Sequence, residues 1–143
     1  MYEDTLARVD LLSGLDKKEL QTLSRSCQER KYSAGSPLIK QGDTGVGLYI
    51  ITHGTVRITH ASTPGGPEEE LDTQGAGTVL GEMALLDDLP RSATVTAVDD
   101  VTALLLPVWE FRSALRSNPD IAIKLLSVLS RRYRRVQNRP YDH

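Results

Sequence analysis

The sequence predicts an α+β protein in which a run of short strands lies between helical ends. Three observations carry this. Over 5–31, apolar positions Leu6, Val9, Leu12, Leu15, Leu20 and Leu23 recur near helical spacing. From 32 to 107 the texture changes to short runs of Val, Ile, Leu, Thr and Tyr separated by Gly, Pro and Asp. Over 108–137 helical spacing returns, and Asn118-Pro119 sets a proline where a fresh helix begins. With 143 residues, 39% of them hydrophobic, a single domain over 1–143 with one core is expected.

The N-terminal helical stretch is broken by Ser13-Gly14, and Asp16 with Glu19 three positions on forms a capping-box signal for its second piece. Strand runs follow at Pro37 to Lys40, Gly47 to Thr52, Thr55 to His60, Glu69 to Asp72, Gly77 to Leu80, Ala93 to Val98 and Val101 to Leu106. Turn signals such as Gly35-Ser36-Pro37, Gly42-Asp43, Pro64-Gly65-Gly66-Pro67 and Asp99-Asp100 separate them. Seven or eight short strands mean a β sandwich, barrel or jelly roll. The last helix, 119–137, carries two apolar stripes: Ile121, Leu125 and Val128, and Ala122, Leu126, Leu129, Tyr133 and Val136. The second steps 4, 3, 4, 3 along the chain, as a coiled-coil seam does, so it can meet a partner helix. The alternative is one wide helix face turned to the core.

Composition narrows the function. Cys27 is the only cysteine, so no internal disulfide can form and a reducing, cytoplasmic setting is expected. The opening MYEDTLARVD is not a secretory signal and no long apolar run follows, so neither export nor a membrane is expected. Residues 1–123 hold 11 basic against 18 acidic residues, a balance of -7, while 124–143 hold 6 against 1, a balance of +5. An acidic body repels a phosphate backbone, so DNA binding is not expected. The basic run Arg131-Arg132-Tyr133-Arg134-Arg135 reads as the solvated end of a helix, whose C-terminus favours cations.

Catalytic patterns are missing. Gly45-Val46-Gly47 has Ile50 where a dinucleotide fingerprint needs its third glycine, and there is no Gly-Lys-Ser/Thr phosphate loop or Gly-x-Ser-x-Gly elbow. Cys27 has no histidine near it in sequence, and His53, His60 and His143 lack metal-ligand spacing. Neither an enzyme nor a metal or other cofactor is expected.

The segment Leu80-Gly81-Glu82-Met83-Ala84-Leu85-Leu86-Asp87-Asp88-Leu89-Pro90-Arg91-Ser92-Ala93-Thr94-Val95 carries the chemistry. A strand ends at Gly81, which lets a ligand approach the backbone, and the N-H groups opening the next short turn attract an anion. Arg91 adds a planar fork suited to two phosphate oxygens. Glu82 would repel phosphate but can accept a hydrogen bond from a sugar hydroxyl. Together they describe a site for a sugar bearing a phosphate monoanion; the competing role for Glu82 and Arg91 is an ion pair that only ties the turn together.

This segment resembles the phosphate-binding cassette of the cyclic nucleotide-binding domains, the sensor module of protein kinase A regulatory subunits, cyclic-nucleotide-gated channels and the bacterial catabolite activator. Arg91 follows Gly81 by ten positions, the kinase-type spacing. The likeness extends to Leu12-Ser13-Gly14-Leu15, to Gly35 through Gly54 and to Asn118-Pro119-Asp120. It implies an eight-stranded β jelly roll, a double-stranded β-helix barrel, flanked by N-terminal helices (5–31) and C-terminal helices (108–137). It also implies cyclic AMP or cyclic GMP as the ligand. On matching positions Arg91 would pair with the cyclic phosphate and Glu82 with the ribose 2'-hydroxyl. Gly81, Met83, Ala84, Ser92 and Ala93 would line phosphate and sugar, with Leu71 and Ile58 against the base.

Two departures qualify the resemblance. Ser92 stands where members selective for cyclic GMP often have Thr, which leans the site toward cyclic AMP. Val136-Gln137 replaces the Thr-Ser pair that contacts adenine in the catabolite activator, leaving Gln137 to hydrogen-bond the base or Tyr133 to cover it. No helix-turn-helix, kinase, channel or enzyme segment follows in the sequence. The expectation is therefore a stand-alone, non-catalytic sensor that relays through its C-terminal helices to an unidentified effector protein, with a homodimer through 119–137 as one form of contact. The alternative is a ligand-independent dimerisation or interaction module of the same fold.

Overall fold

The structure, a computed structural model, describes residues 1–137. It forms two compact units: 27–109, and 1–26 together with the chain from 110 onward.

The first unit is built from β1 (Gln28–Tyr32), β2 (Pro37–Ile39), β3 (Gly47–His53), β4 (Val56–Ala61), β5 (Glu68–Gln74), β6 (Val79–Leu80), β7 (Thr94–Ala97) and β8 (Val101–Pro107). All pairs are antiparallel, in two four-stranded sheets ordered β1-β8-β3-β6 and β2-β7-β4-β5. That alternation of sequence-distant strands is jelly-roll order, with the two sheets facing each other as an unclosed barrel. Alternate residues of each strand point inward, so Ile39, Tyr49, Ile51, Val56, Leu80, Val95, Ala97, Val101, Ala103 and Leu105 make one buried cluster.

Each of the seven strand runs read from sequence is a strand. The eighth lies where helix was expected: the helical reading of 5–31 overruns, because helix ends at Ser24 and Gln28–Tyr32 pairs with β8 from Gln28↔Leu105 to Tyr32↔Val101. β1 is an edge strand whose middle residues, Glu29, Arg30 and Lys31, are exposed, so it carries no apolar alternation to announce it. Charged edges of this kind discourage pairing with another chain.

The second unit contains α1 (Glu3–Leu6), a 3-10 turn (Asp10–Leu12), α2 (Lys17–Ser24), the continuation of α3 (Val108–Ser117) and α4 (Pro119–Val136). Both halves of the α2 capping box form: Glu19 N donates to Asp16 Oδ1 at 2.8 Å and Asp16 N to Glu19 Oε1 at 2.9 Å. The α4 stripe of Ile121, Leu125 and Val128 is buried. On the same side Lys124 Nζ meets Glu19 Oε1 at 2.6 Å, and Arg132 reaches Asp10 Oδ2 through Nη2 at 2.6 Å and Nε at 2.9 Å. The other stripe is half-buried at Ala122 and Leu129 and open at Leu126 (64% exposed), Tyr133 (62%) and Val136 (85%), so the helix does not turn one wide face to a core. No helix among the described residues is long and apolar enough to cross a membrane.

The α2 cap gives a pH test. The backbone N-H of Glu19 holds the Asp16 carboxyl below its ordinary 3.8, outweighing the opposing effect of desolvation, and the Lys124 ammonium adds to the lowering. A carboxyl depressed on folding contributes stability above its unfolded value and loses it as pH falls through the folded value. Asp16→Asn keeps a capping oxygen without the charge. Wild type should therefore unfold at higher temperature than Asp16→Asn near neutral pH, the difference closing as pH drops below 3.8. Circular dichroism melts across pH 2–7 measure it; a constant difference would remove the charge from the account.

Candidate functional site

The site grows from the end of β6. After Leu80 the chain enters Gly81 in the left-handed region, at φ 77° and ψ 25°, a conformation that glycine adopts without steric cost. A single 3-10 turn, Glu82–Leu85, follows, closed by Ala84 N donating to Gly81 O at 3.0 Å and pinned by the fully buried Leu85. Part of the backbone donor set expected to face an anion is thus spent inside the turn. Leu86 N and Asp87 N both donate to Met83 O, and the chain then runs out through Pro90 to Arg91.

Arg91 is tied at both backbone groups to the turn between β2 and β3. Its N-H donates to Asp43 O at 2.8 Å, its carbonyl accepts from Gly42 N at 2.9 Å, and Pro90 bridges to Thr44. The guanidinium then lies between two stretches of bare backbone. A Cβ built on Gly81 would stand 1.8 Å from Arg91 Nη1, and one on Gly45 would stand 2.5 Å from Nε. Nη2 donates to Gly47 O at 2.6 Å. Half-burial of the guanidinium lowers its pKa, against the opposing influence of Tyr49 and Asp87, but an arginine remains cationic at any physiological pH. The site therefore holds a partly desolvated planar cation whose hydrogen bond goes to a carbonyl dipole. The described ion pairs do not include Glu82 with Arg91.

Around this contact Glu82 and Ala84 are half-buried, Met83 is 45% exposed, Ser92 is exposed and Ala93 half-buried. Gly81, Glu82, Met83, Ala84, Arg91, Ser92 and Ala93 thus occupy one end of the β unit. Ile58 packs against the jelly-roll core from β4. Leu71 is the extra residue of a β-bulge, since Ile58 pairs with Asp72 and Thr59 with Glu70, and it is 57% exposed. Gln137 belongs to the helical unit as the residue capping α4, where its amide donates to the Tyr133 hydroxyl. His143 lies outside the described residues, and among those described no group of three or more His, Cys, Asp or Glu could hold a metal ion.

Sequence reasoning missed the other side of the arginine's seat: Gly42, Asp43, Gly45 and Gly47. The signal was there in Gly45-Val46-Gly47, set aside for lacking a third glycine, although two glycines at alternate positions also mark a backbone that something approaches closely.

The family model for the cyclic nucleotide-binding domain matches residues 29–118, from β1 to the residue after α3. The chain belongs to that family. Among relatives, the cyclic AMP receptor protein of Thermus thermophilus is 38% identical over 126 residues, which are 87% of this chain and 57% of the receptor. This cyclic nucleotide-binding domain thus spans less than two thirds of that relative's length. Among solved structures, the N-terminal domain of a transcriptional regulator from Streptomyces coelicolor superposes with a TM-score of 0.83 at 33% identity, covering 94% of each chain. The regulatory domain of Toxoplasma gondii protein kinase A, crystallised with cyclic AMP, gives 0.71 at 29% identity over 89% of this chain and 49% of that one.

Proposed function

We propose that this cyclic nucleotide-binding domain is a non-catalytic sensor of cyclic AMP, and that its two units, over 1–143, act together as one such module. The carrying observation is the half-buried Arg91 guanidinium lodged against Gly81, the residue that Glu82 follows in the chain. A cyclic phosphate monoanion matches that cation, and the hydroxyl of the ribose fused to it matches a carboxylate that phosphate would avoid. Ser92, Ala93, Met83 and Ala84 complete the phosphate and sugar lining, with Ile58 and Leu71 offering apolar surface to the base. The cyclic AMP named for the Thermus relative and bound in the Toxoplasma domain supports the choice of base.

Output runs through the C-terminal helices to a partner protein. Gly47, which holds Arg91 through its carbonyl, pairs with Pro107, and Val46 O accepts from Val108 N at 2.9 Å, the first residue of α3. A ligand that pulls on Arg91 therefore acts opposite Pro107, one residue before the start of that helix. Ligand can bias the helices only by favouring one arrangement over another. The open stripe of α4 is the surface that such a bias would present, to a second copy of the chain or to an effector.

Titration calorimetry with cyclic AMP and cyclic GMP is the direct test, with cyclic AMP expected to bind more tightly; binding of neither would leave a ligand-independent interaction module. Arg91→Ala removes the charged partner of a desolvated phosphate, at a cost of about 2 to 5 kcal/mol, or roughly thirtyfold or more in affinity. An affinity within threefold of wild type would displace the phosphate from Arg91.

Glu82→Gln should weaken cyclic AMP more than 2'-deoxy cyclic AMP, since a hydrogen bond to a charged group contributes about 1.5 to 3 kcal/mol. Equal losses for the two ligands would take the carboxylate away from the 2'-hydroxyl.

For the open stripe, Arg131, Arg134 and Arg135 flank Leu129 and Tyr133 and would repel across a parallel pair of helices. Screening shortens that repulsion, so the dimer should strengthen with salt and Leu129→Asp should abolish it in sedimentation runs. A monomer at every salt concentration would assign the stripe to a different partner.

A further inference from the structure

Gly45 and Gly47 both lie beside Arg91, before and at the start of β3. Neither has a left-handed φ, so neither is glycine for backbone reasons. The space around them differs. A Cβ on Gly47 would sit 2.1 Å from the carbonyl oxygen of Leu106 in the neighbouring strand, a collision with rigid backbone. The three atoms nearest a Cβ on Gly45 all belong to Arg91: Nε at 2.5 Å, Cζ at 2.7 Å and Nη2 at 2.7 Å. Glycine at 47 thus serves the β3–β8 ladder, whereas glycine at 45 serves the guanidinium.

We infer that Gly45 is a positioning residue for Arg91, forming with Gly81 and the Gly47 carbonyl a slot that orients the guanidinium before any ligand arrives. A planar cation pressed on one side by Gly81 and on another by Gly45 has few rotamers left, and the Nη2 bond to Gly47 O fixes its rotation within the slot. An anion entering from the cassette then meets an ordered fork instead of a mobile side chain, and binding costs less side-chain entropy. The closest collisions of an added methyl at Gly45 are with the end of a flexible side chain, so Arg91 moves and the fold stays. This deepens the assignment of Arg91 as the anion partner and rests on it.

Gly45→Ala is the test, read in two ways. In ligand-free protein, the Arg91 Nε-H resonance, assigned by its loss in Arg91→Lys, should exchange slowly with solvent in wild type and fast in Gly45→Ala. The backbone amide spectrum should otherwise be unchanged. In calorimetry, Gly45→Ala should weaken cyclic AMP about tenfold or more, the size of a lost hydrogen bond to a charged group. Val46→Ala, which alters a side chain 46% exposed, should do neither. An Arg91 signal unchanged in Gly45→Ala overturns the inference, as does a shifted signal with unchanged affinity. If wild type binds no cyclic nucleotide, the sensor assignment falls, while the exchange measurement still decides whether Gly45 holds the arginine.

Discussion

A guanidinium half-removed from water, with a backbone carbonyl as its hydrogen-bond acceptor, constrains everything around it at this end of the β unit. It needs bare backbone beside it, which Gly81 and Gly45 supply, and an acceptor for its Nη2, which Gly47 supplies. These groups come together through the jelly-roll order. β3 pairs with β6 in the register Tyr49↔Leu80, so the residue after Leu80 emerges beside the start of β3. In the other sheet β2 pairs with β7, which draws Arg91 onto the turn at Gly42 and Asp43. The arginine therefore bridges the exits of two sheets, and its burial depends on both being in register.

The helical unit follows a different economy. Its described ion pairs involve partly exposed side chains, Lys124 at 38% and Asp10 at 61%, and such pairs contribute little each. Burial of Ile121, Leu125 and Val128, together with Leu6, Leu11, Leu12 and Leu23, supplies most of the stabilisation. The charges instead choose which side of α4 turns inward: Lys124 and Arg132 lie with the buried stripe, leaving Leu126, Tyr133 and Val136 outward. One helix thus has a satisfied face and an open one.

Much of this was legible from residue order because the signals are local. Each central strand announces itself through apolar runs between turn residues, and the α2 cap needs only Asp16 and Glu19 three residues apart. The cassette is likewise one continuous segment, so its glycine, carboxylate and arginine could be seen together. β1 was not legible: an edge strand with Glu29, Arg30 and Lys31 exposed is defined by the backbone of β8, which lies about seventy residues away in the chain. Leu71 could be named as an apolar candidate, but its exposure follows from a bulge set by pairing between β4 and β5.

The sequence by itself determined the class of fold, the family resemblance and the chemical character of the cassette, since these rest on residue types at short, fixed spacings. Tertiary structure decided what stands behind Arg91. Gly45 and Gly47 precede it by more than forty positions, and nothing in their local conformation requires glycine; only the packing of a distant side chain and a neighbouring strand does. Space is a property of the folded chain, and two residues with the same one-letter code there answer to different neighbours.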